Sequence, residues 1–206
     1  MTLTLTLTVG VLVLTACSTD YLVGHLAAAV NRAWAAAHGY SYRCDLLPLE
    51  TILQRIAPRQ APTWYKVRLI MDCLKDEEFC SRHRYIVWLD ADAVVLNPTA
   101  RIEDFVAMAG EGRHLIIGED LTPCCLLNAG VMIVEVCAWS RELWTEVWDG
   151  LDGRFHNKNY HEQSTLIKLL EAREGAAGPN GTHEIRSTLT RDGSEGPCRR
   201  PRESVV

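Results

Sequence analysis

The chain has 206 residues, enough for one domain and a tail at roughly 100–200 residues per domain. Hydrophobic residues make up 48% and charged residues 23%, which excludes a chain disordered throughout. Lys+Arg 21 against Asp+Glu 26 leaves a formal charge of −5, so there is no basic excess to bind nucleic acid, and carboxylate clusters would favour a counter-cation.

Met1 to Cys17 is apolar but carries Thr2, Thr4, Thr6, Thr8 and Thr15, with no Lys or Arg before it. It falls short of the about 20 apolar residues of a spanning helix and lacks the basic start of a signal peptide. The Thr/Leu alternation, followed by Val9 to Leu14, predicts a buried strand; the rival reading is a truncated signal or anchor. Thr15-Ala16-Cys17-Ser18-Thr19-Asp20 is then a small polar turn that caps an Ala-rich helix over Tyr21 to His38, with Gly39 as its C′ residue. Tyr40 to Leu46 is a second strand, Pro48 to Ile56 a short helix, and Pro58 to Pro62 a loop. Thr63 caps a helix through Leu74, and Arg84 to Leu89 is an apolar strand.

Val94 to Leu96 is expected to be extended, Ile102 to Met108 a short helix and His114 to Gly118 a strand. Leu126 to Val136, broken by Asn128-Ala129-Gly130, should end in a strand. Ala138 to Trp148 and His161 to Glu171 have helical amphipathic spacing. Beyond Arg173 the chain is rich in Gly, Pro, Ser and Arg. Residues 1–173 are therefore assigned to one folded domain and 174–206 to a polar, disordered tail. Strands alternating with helices imply an α/β fold with a mainly parallel central sheet flanked by helices, whose ligands bind at the carboxyl ends of the strands.

Asp90 and Asp92 leave the apolar strand together. Two carboxylates this close raise each other's pKa unless a cation lies between them, and a hard divalent ion such as Mn²⁺ or Mg²⁺ answers that need with phosphate oxygens completing its shell. The plain alternative is a solvated acidic loop. A rival enzyme reading is a haloacid-dehalogenase-like phosphatase, with Asp90 as nucleophile and Asp92 as acid/base, although that family places this strand near the chain start and needs a later acidic pair. The eight cysteines (Cys17, Cys44, Cys73, Cys80, Cys124, Cys125, Cys137 and Cys198) contain no Cys-x-x-Cys and no zinc spacing, and sequence leaves their pairing open. Asn180-Gly181-Thr182 is a glycosylation sequon. Trp139, Trp144 and Trp148 share one helix and read as core or interface, whereas Trp64 has a better claim to a ligand pocket.

Five segments in order carry a resemblance: Val13-Leu14-Thr15-Ala16, Trp64-Tyr65-Lys66, Trp88-Leu89-Asp90-Ala91-Asp92-Ala93, Leu127-Asn128-Ala129-Gly130 and Glu162-Gln163-Ser164. Over about Val9 to Leu170 the chain resembles the galactosyl/xylosyl/mannosyltransferases of glycosyltransferase family 34. The resemblance implies a GT-A-like nucleotide-sugar transferase fold and a metal-assisted, retaining transfer from a UDP- or GDP-sugar to a glycan acceptor. By that analogy Asp90 and Asp92 hold Mn²⁺, and Asp90 with Ala91 contacts the donor diphosphate or ribose. Thr15, Ala16, Cys17 and Tyr21 hold the nucleotide, and Lys66 steadies a phosphate. Asn128, Glu162 and Gln163 face the donor sugar and the reacting centre. The family works in the Golgi lumen behind a membrane anchor, which this sequence does not display. His161 stands where relatives carry an acidic residue, and the late His that completes the family's metal site has no counterpart, since His183 lies in no matching context. The chain is accordingly expected to be a shortened member, with a non-catalytic relative as the alternative.

Overall fold

The computed structural model describes residues 10–120 and 126–176, with side chains through 173. Its elements are β1 (Val11–Ser18), α1 (Leu22–Ala37), β2 (Ser41–Leu47), α2 (Leu49–Ile56), α3 (Trp64–Lys75), α4 (Glu77–Arg82), β3 (Tyr85–Leu89), α5 (Ile102–Ala109), β4 (Leu115–Glu119), β5 (Leu127–Glu135), α6 (Ala138–Asp149) and α7 (His161–Ala176). The strands form one sheet in the order β2-β1-β3-β5-β4. β1 is parallel to β2 and to β3, while β5 is antiparallel to both its neighbours. The expected α/β architecture with a parallel centre is present.

Both faces of the sheet are covered, and for this reason its central strands are continuous apolar runs. Even-numbered positions of β1 and β3 (Leu12, Leu14, Ile86, Trp88) join α2, α3, α6 and α7 in one core. Odd-numbered positions (Val11, Val13, Tyr85, Val87, Leu89) join Trp34 and Ala35 of α1 and Ile102 of α5 in a second. Gly24 of α1 allows close approach on that second face, because a Cβ there would lie 2.7 Å from Cys17 Sγ. Gly39 terminates α1 at φ +71° as its C′ residue.

Several sequence expectations are corrected by pairing. Thr15 to Ser18 is strand, not turn: the parallel ladder with β2 continues to Ser18↔Leu47, and this pairing outweighs the turn preference of small polar residues. Asn128-Ala129-Gly130 lies inside β5 rather than interrupting it, with a register shift at Ile117/Gly118 that lets Gly118 pair Asn128. The unanticipated α4 is capped by Asp76, whose carboxylate accepts from the Phe79 amide at 3.0 Å, with Glu77 and Glu78 in its first turn. Thr63 makes no side-chain cap to α3. Helix α7 runs past Glu171 to Ala176.

Val94 to Leu96 forms no strand; the segment after Asp92 is irregular and is held from α1. Asn31, 1% exposed, donates to the Ala93 carbonyl at 2.8 Å and accepts from the Val95 amide at 3.0 Å. Trp34 Nε1 bonds the Ala100 carbonyl at 3.0 Å, His38 Nε2 contacts the Pro98 carbonyl at 2.8 Å, and the Tyr40 hydroxyl accepts from the Ile102 amide at 3.1 Å. Asn31→Ala leaves both backbone groups in this loop without their partner. A loss of about 1–3 kcal/mol in stability is expected from urea unfolding, with α1 helicity retained by circular dichroism.

Candidate active site

The chain passes from β1 outward to β2, then returns to β3 on the other side of β1. The carboxyl ends of β1 and β3 therefore flank a topological switch point. Pairing of β1 with β3 ends at Leu14↔Trp88, whereas pairing with β2 continues to Ser18. Among the described residues the β3-facing edge of β1 over Thr15 to Ser18 thus has no strand partner. Counting on from Leu14 and Trp88, Ala16 and Asp90 are corresponding positions. Because β5 is antiparallel, its first residues lie at this same end, and the Asp90 amide donates to the Gly130 carbonyl at 2.7 Å.

Lys66, on the first turn of α3, organises the site. Its Nζ is 2.9 Å from Asp90 Oδ1, 3.2 Å from Glu162 Oε1 and 3.0 Å from the Ala129 carbonyl, so its three protons meet three acceptors. The side chain is 4% exposed, as is fitting only for an ammonium with such partners. Burial acts to lower the Lys66 pKa, but Glu162 and then Asp90 outweigh it and hold the group above its ordinary value. Trp88, two residues before Asp90, donates from Nε1 to Asp90 Oδ1 at 2.6 Å. Asp90 Oδ1 is therefore fully engaged. Asp90 Oδ2 faces Gly130, where a Cβ would come within 3.2 Å of it.

Asp92 is exposed and forms no hydrogen bond or ion pair among the described residues. The carboxylates of Asp90, Asp92 and Glu162, with that of Asp120 close by, outnumber the Lys66 ammonium and make this end of the sheet acidic. That balance, with a spare oxygen on Asp90 and a free carboxylate on Asp92, fits a hard divalent cation. Among the described residues no third His, Cys, Asp or Glu forms a ligand cluster with the pair.

Gln163 Oε1 accepts from the Ala129 amide at 2.9 Å, and Asn128 Oδ1 accepts from the Gly130 amide at 2.8 Å. Both side-chain amides reach toward Asp120 Oδ2, Asn128 Nδ2 at 3.3 Å and Gln163 Nε2 at 3.5 Å. Glu162 is 5% exposed, and its Oε2 is buried without a hydrogen-bond partner among the described residues. α7 is launched by Tyr160 and His161 at φ +60° and +42°, the left-handed region that non-glycine residues seldom occupy.

The fold thus brings Lys66, Asp90, Asn128, Glu162 and Gln163 into one contiguous network. Ala91 and Asp92 follow directly from it, and Ala16 is level with it. Thr15 and Cys17 are buried on the opposite, α1, face of the sheet, so only their backbone borders the crevice. Tyr21 is exposed just before α1. A hollow of 180 Å³ lined by Cys17, Gly24, His25, Arg32 and Cys44 lies on that α1 face. Trp64 is corrected: it is wholly buried in the core, donating to the His156 carbonyl at 3.0 Å, and has no place in a ligand pocket. Trp144 is core as expected. Sequence reading missed Asp120, Asn31 and the close approach at Gly130. An acidic residue directly after a strand, Asp120 after Glu119, was the one signal available for the first of these. Cys124, Cys125, Cys198, His183, the sequon and residues 177–206 lie outside the described residues.

Neither a scan against protein-family models nor a search of curated proteins gives a match. Solved structures do. A glycosyltransferase involved in glycosylation of the major capsid of PBCV-1 superposes with a TM-score of 0.63 at 20% identity, covering 80% of this chain and 78% of that one. The apo-form glycosyltransferase GlyE of Streptococcus pneumoniae TIGR4 gives a TM-score of 0.52 at 17% identity over 79% of this chain. This chain spans 43% of GlyE's length. The α/β fold described above is therefore the fold of these glycosyltransferases.

Replacing Lys66 by Met removes the one cation between two carboxylates and strands Glu162 in the core. Unfolding titrations should show a loss of about 3–5 kcal/mol. The Lys66→Met/Glu162→Gln double variant should lose less than the sum of the single variants, since the second change removes the stranded charge.

Proposed function

We propose that this protein is a glycosyltransferase that moves a sugar from a UDP- or GDP-linked donor to a glycan acceptor, with a divalent cation at Asp90 and Asp92. The observation that carries the reading is the pinned carboxylate at the tip of β3. Asp90 is fixed by Trp88 and Lys66 through one oxygen, its other oxygen is spare, and an unpaired Asp92 follows two residues on. The fold shared with two glycosyltransferase structures supports it.

In this reading Asp90 Oδ2 and Asp92 hold Mn²⁺ or Mg²⁺, which when bound offsets charge on the departing diphosphate. The unpaired β1 edge over Thr15, Ala16 and Cys17 receives the nucleotide through backbone groups, with Tyr21 beside it and the Ala91 backbone toward the ribose. Lys66 is a positioning residue here: its protons are committed to Asp90, Glu162 and the Ala129 carbonyl, so it acts on a phosphate through Asp90. Asn128 and Gln163, braced on β5 and facing Asp120, orient the donor sugar. Glu162 secures Lys66 from behind, and its partnerless Oε2 marks the inner wall of the sugar site. The protein's contribution is then mainly orientation and electrostatics prepared before the substrate arrives.

Family 34 membership, retention of anomeric configuration and residence in the Golgi lumen extend this reading along the sequence resemblance. Among the described residues no helix is long and apolar enough to cross a membrane. The phosphatase alternative needs its Asp-x-Asp strand near the start of the chain, whereas Tyr85–Leu89 is the third strand of this sheet.

Calorimetry with UDP and GDP tests the proposal. One diphosphate should bind in the presence of Mn²⁺, with affinity at least about tenfold weaker after chelation, and Asp92→Ala should abolish the metal dependence. Asp92→Ala that binds as tightly as the unmutated protein, with its dependence on Mn²⁺ retained, would count decisively against the assignment.

A further inference from the structure

A second set of metal-ligating side chains converges at the opposite end of the sheet. His114 directly precedes β4, Glu135 is the last residue of β5, and Cys137 is the residue before α6. Their ligand atoms, His Nδ1, a carboxylate oxygen and Sγ, all lie within 4.8 Å of one another, and all three residues are partly buried. The backbone dictates this convergence. His114 and Glu135 are cross-strand neighbours, since Leu115 pairs Val134 and the Glu135 amide donates to the His114 carbonyl at 2.9 Å. Cys137 lies two residues beyond Glu135 with extended dihedrals (φ −146°, ψ 175°), so the period of two returns its side chain to the same face as Glu135.

The donor chemistry is specific. Asp90 and Asp92 offer oxygen alone, but this cluster offers nitrogen, oxygen and sulfur, a set that suits Zn²⁺ and not Mg²⁺ or Ca²⁺. Tetrahedral Zn²⁺ with bonds of about 2.0–2.3 Å places its ligand atoms roughly 3.3–3.8 Å apart, which small side-chain rotations reach from here. Glu135 is already oriented: Oε2 is 2.7 Å from His114 Nδ1, and Oε1 is 3.4 Å from the Arg84 guanidinium. A cation between Glu135 Oε2 and His114 Nδ1 would replace the proton they now share, leaving Arg84 as the outer partner that steadies the carboxylate. Cys137 Sγ is 3.4 Å from Ser140 Oγ at the start of α6.

We propose that His114, Glu135 and Cys137 form a binding site for a borderline-soft divalent cation of the Zn²⁺ class, with solvent as the fourth ligand. On binding, the Cys137 thiol loses its proton to solvent and the metal–sulfur bond forms, while His114 binds as neutral imidazole through Nδ1. The site ties the start of β4, the end of β5 and the start of α6 together. It is independent of the proposed glycosyl transfer, since it shares no residue with the Asp90 network.

The test is Co²⁺ titration of the chelator-stripped protein. One equivalent should produce a thiolate-to-cobalt charge-transfer band that Zn²⁺ then displaces, and Zn²⁺ should raise the melting temperature. Cys137→Ser should remove the band. His114→Ala should weaken Co²⁺ binding roughly tenfold or more, since even outer partners of a metal site are typically worth 10–100-fold. Asp92→Ala should leave all of this unchanged while it disables the proposed diphosphate site, so the two readings fail separately. In the unmutated protein Zn²⁺ should shield Cys137, but not Cys80, from iodoacetamide, read by peptide mass spectrometry. Absence of a thiolate band, its persistence in Cys137→Ser, or alkylation of Cys137 undiminished by Zn²⁺ would overturn the proposal.

Discussion

A buried ammonium is tolerated in a protein core only when negative partners surround it, and Lys66 sits within 3.2 Å of two carboxylates and a carbonyl. The three partners come from three different elements: the end of β3, the start of β5 and the first turn of α7. One side chain from α3 therefore fixes the relative placement of four elements. It also determines how Asp90 presents itself, because Lys66 and Trp88 together hold one carboxylate oxygen and turn the other toward Gly130. Packing against the sheet determines where α3 lies, and α3 in turn determines where the acidic end of β3 directs its charge.

The antiparallel β5 is what makes this possible. A parallel strand beside β3 would bring a carboxyl end, and a following loop, to the Asp90 side. The reversed strand instead brings its beginning, so Asn128, Ala129 and Gly130 are held in a ladder where loops would otherwise lie. A site braced by strand pairing is more rigid than one built from loops. On the far side of the same crevice, Asn31 supplies the hydrogen bonds that the irregular chain after Asp92 cannot make within itself. The Asp-x-Asp segment is thus braced from both faces of the sheet: by Lys66 on one and by Asn31 on the other.

The reversal has a second consequence. It carries the end of β5 to the bottom of the sheet, where Glu135 and Cys137 meet His114. No spacing in the sequence announces that trio, since 114, 135 and 137 match no metal-ligand pattern. These two clusters thus lie at the two ends of one antiparallel strand.

Apart from α4, the order of elements and the parallel centre of the sheet were legible from periodicity, and Asp-x-Asp at a strand end from the residues themselves. Apolar runs such as Tyr85–Leu89 and amphipathic stretches such as Ala138–Trp148 are local in cause, so local residues reveal them. Lys66, Asp90, Asn128, Glu162 and Gln163, from four separate segments, gather at one end of the sheet. What the sequence could not decide was anything set by partners far along the chain. Whether Thr15–Ser18 was turn or strand depended on β2; whether Asn128–Gly130 broke a strand depended on β4. The burial of Trp64 and the engagement of Lys66 likewise depended on α6, α7 and β3. A side chain's protonation, burial and bonding are set by its spatial neighbours, and for Lys66 those neighbours lie 24 to 96 residues away, at Asp90, Ala129 and Glu162.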